Sequence, residues 1–379
     1  MNNPFQLIGK SAAEVQQKIQ SAFHSLFEGN DSSEKICFDF QQYKCIIDIG
    51  HSDIRSEGMS YGMYIAAKLG LLELFQALWE FSKTYLQNAE TDDAPYFAWQ
   101  VGFDKKRQGQ FFKMDAGAAP DGEEYFAAAL LLAARRFGNN AYRDEALKLL
   151  HAMAHKKPAG KVRAMFDPEN FLVRFSPVES NDFTDPSYHT LAFYRLFAAE
   201  TKDTFWESVY KQSVAFLKCA AHPDTGLFPD YAEFDGTPKS TAFSPHSDCF
   251  SGDAWRVAYN LALDANWEIP GICEKENLLA KNFAQETIRK MLRFFKSQKN
   301  PRADYRLNGI PCENSRPITT GLIAMNAAAT GALDFSLLQD KELAAYFLNA
   351  FWNAPVPTGT WRYYDGMLYL LSFLALTER

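Results

Sequence analysis

The sequence has few of the features that would hold a metal. Its seven histidines include no His-Glu-x-x-His pair, and its six cysteines (Cys37, Cys45, Cys219, Cys249, Cys273 and Cys312) show no paired ligand spacing. Disulfide staples are equally unsupported, because 379 residues can bury a large core without them, and the thiols are read as reduced. No segment approaches the ~20 uninterrupted apolar residues of a membrane span. Basic clusters are missing as well: a net charge of −7 and a pI near 5.6 argue against a nucleic-acid partner or an anionic membrane surface. The first ten residues, Met1 to Lys10, lack the basic start and apolar run of a secretory signal, which predicts a cytoplasmic protein. Runs of Pro, Gly, Ser or like charge that would read as a linker are absent, so residues 1–379 are expected to form one domain, acting as a monomer without a cofactor.

What is present is apolar and aromatic: 47% of residues are hydrophobic and 15% are Phe, Tyr or Trp. The organising stretch is Asp53-Ile-Arg-Ser-Glu57-Gly-Met-Ser-Tyr61-Gly-Met63. It sets a carboxylate at the mouth of a helix whose Gly58, Ser60 and Gly62 allow close approach, while Met59, Met63 and Tyr64 supply an apolar face. A carboxylate there also suits the helix dipole, so this stretch alone decides nothing.

Its recurrence carries more weight. Ahead of it, Ser11 to Phe27 reads as a serine-capped amphipathic helix, and behind it a second helix covers about Leu72 to Leu86. The segment Tyr96 to Phe103 is strand-like and is expected to display Tyr96 and Trp99 in a hairpin loop. Polar, Gly- or Pro-marked motifs then open further helices at Glu57, Asp121, Pro186, Asp253, Gly321 and Asp365, in steps of 64, 65, 67, 68 and 44 residues. Five rounds are one helical hairpin apart, the signature of a repeated helix pair. Counting the opening helix gives twelve helices in six pairs, an all-α architecture. If the six motif-bearing helices form an inner ring pointing one way, their starts meet in one polar, aromatic, acidic cleft.

The runs Arg55-Ser-Glu57-Gly58-Met-Ser-Tyr-Gly62, Ala119-Pro-Asp121-Gly-Glu-Glu-Tyr-Phe126, Asp185-Pro-Ser-Tyr188-His189, Asp253-Ala-Trp-Arg256-Val and Arg362-Tyr-Tyr-Asp-Gly366 together resemble glycoside hydrolase family 8, most of all its xylan-acting members. The resemblance spans nearly the whole chain in order. It implies an (α/α)6 barrel and inverting hydrolysis of β-1,4-xylosidic bonds in a xylo-oligosaccharide substrate. Inversion requires one protonated carboxyl at the leaving oxygen and one carboxylate that activates water, ~6.5 to 9.5 Å apart. The resemblance assigns Glu57 as the acid and Asp253 as the base. It makes Asp121 the carboxylate that binds and distorts the sugar at the cleaved position, and Tyr188 the partner of the attacking water. Arg256, three residues after the base, is placed to orient Asp253 and favour its ionised form. Trp99 is a stacking candidate, Trp361, Tyr363 and Tyr364 are expected near the cleft, and His189 is read as structural. All three carboxylates are present, which disfavours a catalytically dead sugar-binding protein.

Cleavage mode is the remaining question. Exo-acting members resemble one another in a loop ahead of the fifth inner helix that carries Leu-His-Pro and blocks the cleft beyond the reducing end. Here that run is Glu313-Asn-Ser-Arg316-Pro317-Ile-Thr-Thr-Gly321, without the histidine, and Arg316-Pro317 is the candidate to stiffen a similar wall. A cytoplasmic enzyme would meet imported oligosaccharides and not polymeric xylan. Release of xylose from the reducing end is therefore expected, with an endo-acting xylanase of the same family as the alternative.

Overall fold

The computed structural model describes residues 3–104, 110–267 and 274–377. Twelve α-helices occur among them: α1 Ala12–Glu28, α2 Ser56–Leu69, α3 Leu72–Phe81, α4 Pro120–Phe137, α5 Asn140–His155, α6 Leu191–Thr201, α7 Thr204–Ala220, α8 Trp255–Asn266, α9 Glu274–Ser297, α10 Thr320–Ala329, α11 Leu338–Asn353 and α12 Arg362–Thr377. The even-numbered helices pack in sequence, α2 on α4, then α6, α8, α10 and α12, and α12 returns to α2. That closure is the inner ring of an (α/α)6 barrel, as the hairpin repeat predicts. Most odd-numbered helices pack against the inner helix that precedes them, and α1 lies on α12. None of these helices is long and apolar enough to cross a membrane.

Local chemistry explains where several helices begin. Ser11 caps α1 in a complete capping box with Glu14, worth on the order of 1 kcal/mol. Inner helices are crowded on all sides, which small residues permit: Ala127, Ala128, Ala129 and Ala133 of α4 are fully buried. The predicted second helix is shorter than its periodicity suggests. It ends at Phe81 and passes into a wider π turn over Ser82–Leu86, where the Ser82 hydroxyl donates to the Leu78 carbonyl.

Five short strands complete the frame. β1 (Cys37–Phe40) and β2 (Tyr43–Ile46) form an antiparallel hairpin. β3 (Ile54–Arg55), β4 (Gln100–Phe103) and β5 (Phe111–Asp115) form an antiparallel sheet at the mouth of α2, with an irregularity between Gln100 and Val101. This sheet sets the start of α2, because the Ser56 N–H donates to the Trp99 carbonyl at 3.1 Å. Tyr96 departs from expectation. It is fully buried and its hydroxyl donates to the Ala152 carbonyl at 3.0 Å, so it serves the core and only Trp99 is displayed. Of the six cysteines, five are free thiols, and Cys273 lies outside the described residues.

Candidate active site

The starts of the inner helices meet at one end of the barrel, and their side chains touch. Glu57 lies in the first turn of α2, Asp121 in the first turn of α4, Asp253 in the turn that leads into α8, and Tyr363 in the first turn of α12. Asp365 of α12 accepts a hydrogen bond from Thr319, the N-cap of α10, at 3.0 Å. Tyr188 sits in a short 3-10 turn, Pro186–Tyr188, just ahead of α6. Two glycines allow the approach. A Cβ on Gly122 would stand 2.5 Å from the Ser56 hydroxyl, and one on Gly58 would stand 2.6 Å from the Tyr363 ring. Those missing side chains let α2, α4 and α12 converge.

Arg256 is the hub. Its Nη1 donates to Asp121 Oδ2 at 2.7 Å, to Tyr61 Oη at 2.8 Å and to Glu57 Oε1 at 3.1 Å. Its Nη2 donates to Asp253 Oδ1 at 2.7 Å and stands 3.9 Å from Asp185 Oδ2. Because both nitrogens share one carbon, the Glu57 and Asp253 oxygens they hold are at most about 8 Å apart, under the ceiling for a carboxylate pair with water between them. Asp253 is held from behind: Asp230 Oδ1 accepts the N–H groups of Ser251 at 3.1 Å and Ala254 at 2.8 Å, the two sides of the turn carrying Asp253.

The environments of the two carboxylates differ, and that difference sorts their chemistry. Glu57 is buried, and desolvation pushes its carboxyl up to about 7; Arg256 and Arg55 oppose the rise, while the charges of Asp121 and Asp253 add to it. Tyr363 Oη donates to Glu57 Oε2 at 3.0 Å, leaving Oε1 on the Arg256 side. Near neutral pH such a group can hold a proton and give it up. The Asp253 side chain is 36% exposed, open to a water that it can activate. Burial also raises Asp121 above the ordinary aspartate value, against the pull of Arg256.

Two cavities meet at this cluster, sharing Arg55, Glu57 and Asp253 in their walls. The first, about 530 Å³, is also lined by Trp99, Asp121, Tyr188, Phe175 and Phe243. The second is lined by Asp48, His51, Trp361, Tyr363 and Tyr364, among others. Tyr188 carries the Arg256 guanidinium 5.8 Å from its ring centre, and Trp99 carries that of Arg55 at 5.7 Å. Tyr364 Oη donates to the Gly252 carbonyl at 2.7 Å, which fixes the turn before Asp253. His189 is fully buried, its ring nitrogens engaged by Thr184 at 3.0 Å and Ser213 at 2.9 Å, and burial lowers it to about 3.

Of the residues predicted from sequence, Glu57, Asp121, Asp253, Tyr188, Arg256, Trp99, Trp361, Tyr363 and Tyr364 come together here. Arg316 does not. It is exposed, lines neither cavity, and its carbonyl accepts the Ala303 N–H at 2.9 Å and the Ser315 hydroxyl at 3.4 Å. Sequence reasoning missed Tyr61 and Arg55, although both stand in the Glu57 motif and Tyr61 follows Glu57 by one helical turn. Phe175 and Phe243, two rings 5.7 Å apart in the first cavity, come from loops without periodicity and gave no signal.

Comparison with known proteins agrees with this geometry. Residues 46–375 match the profile of the glycosyl hydrolases family 8. The chain is 36% identical, over 99% of its length and 92% of the relative's, to a reducing end xylose-releasing exo-oligoxylanase of Halalkalibacterium halodurans. It is also 36% identical to Rex8A, the reducing-end xylose-releasing exo-oligoxylanase of Paenibacillus barcinonensis, covering 99% and 94% of the two chains. The solved structure of Rex8A with xylose superposes with a TM-score of 0.87, covering 99% of this chain and 95% of that one. A xylobiose complex of a GH8 protein from Teredinibacter turnerae superposes at 0.85 with 34% identity, covering 99% and 96%. With a matching profile over most of its length and a ring of six helix pairs around a carboxylate cluster, the chain belongs to glycosyl hydrolases family 8.

Proposed function

We propose that this protein hydrolyses β-1,4-xylosidic bonds with inversion and releases xylose from the reducing end of xylo-oligosaccharides. The observation that carries the reading is the Glu57–Arg256–Asp253 arrangement: a buried carboxyl held near neutrality and a solvent-facing carboxylate, bridged across the junction of two cavities. Glu57 gives its proton to the departing oxygen while Asp253 draws a proton from water attacking the opposite face of the sugar. Asp121 and Tyr188 hold the sugar on the glycone side, with Trp99 as an apolar face for the chain. The oligosaccharide specificity follows that of the curated relatives, three of which, at 31 to 36% identity, bear the exo-oligoxylanase name.

Xylohexaose labelled with carbon-13 at its reducing-end anomeric carbon tests the reading directly. The expected early products are labelled xylose and unlabelled xylopentaose, the latter carrying the α-anomer at its new end by proton NMR. Early labelled xylobiose or xylotriose would favour the endo-acting alternative, and an initial β-anomer would mean the wrong carboxylate pairing.

Acid catalysis by Glu57 also sets the pH profile. Activity needs its protonated form, so kcat/KM should fall as pH rises through about 7. The negative charge of Asp121 helps hold that proton, so Asp121→Asn should move the alkaline limb to lower pH while lowering activity throughout. A limb that stays in place or moves up in Asp121→Asn contradicts the assignment.

A further inference from the structure

The three-stranded sheet at the mouth of α2 carries an apolar surface that the reaction does not use. Phe112 and Met114 of β5 are 55% and 54% exposed. The register explains why. On the ladder Gly102 pairs with Phe112 and Val101 with Lys113, and Met114 is the extra residue of a bulge before Asp115 pairs with Gln100. One face of the sheet is internal. Val101 is fully buried, Phe111 packs among the rings of Phe40, Phe81 and Tyr85, and Lys113 Nζ donates to the Gln87 carbonyl at 2.8 Å and to Asn88 Oδ1 at 2.7 Å. Phe112 and Met114 turn to the other face, and both lie over Gly102: a Cβ there would stand 2.6 Å from the Phe112 ring and 3.0 Å from Met114 Sδ. The bare backbone of β4 thus lets the two side chains settle together as one apolar platform.

The platform runs into the first cavity. Asp115, next along β5, lines that cavity together with Gly117 and Trp99, and so does Arg55, which pairs with Gln100 on the same sheet. From Asp115 back to Phe112 the strand covers about 10 Å, the length of roughly two pyranose rings. Direction follows from the shared wall. Glu57 and Asp253 border both cavities, whereas Asp121, Trp99 and Asp115 border only the first. With Asp121 on the retained sugar, the first cavity holds the part of the chain that stays behind, and the platform continues its wall outward.

We propose that Phe112 and Met114 form an outlying subsite for the non-reducing portion of xylo-oligosaccharides too long for the first cavity, and so give the enzyme a preference for longer chains. The Phe112 ring offers an apolar face to the C–H face of a xylose unit, and the Met114 thioether adapts its shape beside it. Asp115, at the cavity rim, supplies acceptor oxygens for a sugar hydroxyl. Contacts so far from the reacting atoms are the same in the ground and transition states, so they act through KM and not through kcat. This inference rests on the proposed exo-oligoxylanase reading.

The test is a comparison of kcat and KM on xylotriose and on xylohexaose, for the wild-type protein and for the double variant Phe112→Ala/Met114→Ala. Xylotriose leaves a disaccharide on the retained side, too short to reach the platform, whereas xylohexaose leaves a pentasaccharide. Wild-type protein should favour the hexaose in kcat/KM on the order of tenfold, as covering two apolar side chains allows. In the double variant that preference should shrink to about twofold, with the loss falling on xylohexaose and in KM. Phe112→Trp, which enlarges the ring, should keep the preference. A merely structural role would lower both substrates alike. Equal losses on the two substrates, an undiminished preference in the double variant, or a wild-type protein that treats both chains alike overturns the inference. So does sedimentation showing a wild-type dimer that the double variant loses while the preference stands, which gives the face to a second copy of the chain. All of these leave the function intact. Endo products from the wild-type protein on the labelled hexaose overturn the function itself, and the inference with it.

Discussion

Glu57→Gln and Asp253→Asn should each lower turnover on xylo-oligosaccharides by about 10²- to 10⁴-fold, the range that positioned acid–base groups contribute. The fold should survive both changes. Gln is isosteric at a site where burial already disfavours the ionised form, and Tyr363 can still donate to its amide oxygen. Asp253 is partly exposed and its turn is held by Asp230, not by its own side chain. The two losses should differ in kind. Fluoride leaves with little help from an acid, so on β-xylobiosyl fluoride Glu57→Gln should recover most of its lost rate. Asp253→Asn should recover nothing there, because water must still be activated. The reverse pattern would exchange the two roles, and equal recovery in both would remove the acid–base assignment. Unchanged melting temperatures check that neither loss reflects unfolding.

Much of this arrangement was legible in the chain, and the exceptions share a cause. Ser11 with Glu14 announces the start of α1, and the hairpin-length recurrence of marked helix starts leads directly to the inner ring. Arg256 could be tied to Asp253 by its i,i+3 spacing. Its bonds to Asp121 and Glu57, 135 and 199 residues away, are tertiary and leave no local trace. Two of the motif-marked helices begin later than their motifs for the same reason. The Asp185 and Asp253 motifs look like first turns, but the chain first makes a 3-10 turn after Asp185 and a hydrogen-bonded turn at Asp253, and the helices begin at Leu191 and Trp255. Loop residues were the least readable. Phe175, Phe243 and His51 sit in segments whose shape is set by contacts, not by a period, so nothing in their spacing marks them.

The cluster also predicts where the protein's stability is held. Arg256 is 6% exposed and is the one cation that bridges Glu57, Asp121 and Asp253 in the described structure, with Asp185 nearby. Arg256→Met fills similar volume but leaves buried carboxylates facing one another, and removal of one partner from a buried ion cluster costs about 3–5 kcal/mol at neutral pH. For a chain of this size that is a fall of roughly 5 °C in melting temperature. The loss should depend on pH in a definite direction. Glu57 has a folded value near 7, above the ordinary 4.5, so the native state binds protons more tightly than the unfolded chain between those values. Stability is therefore highest below the unfolded value and falls as pH rises through the folded one. Arg256 is the largest influence lowering Glu57, and it also lowers Asp121 and Asp185, so its removal raises their folded values further and extends the falling limb upward. At pH 4.5 the carboxyls in Arg256→Met take up protons and the missing cation matters little; at pH 7.5 each must either ionise uncompensated or hold a proton at a cost. Calorimetry at the two pH values should show a small difference between wild type and variant in acid and the full deficit near neutrality. A deficit as large at pH 4.5 as at pH 7.5 would mean that Arg256 stabilises the barrel by packing, and that the carboxylates at its mouth do not depend on it.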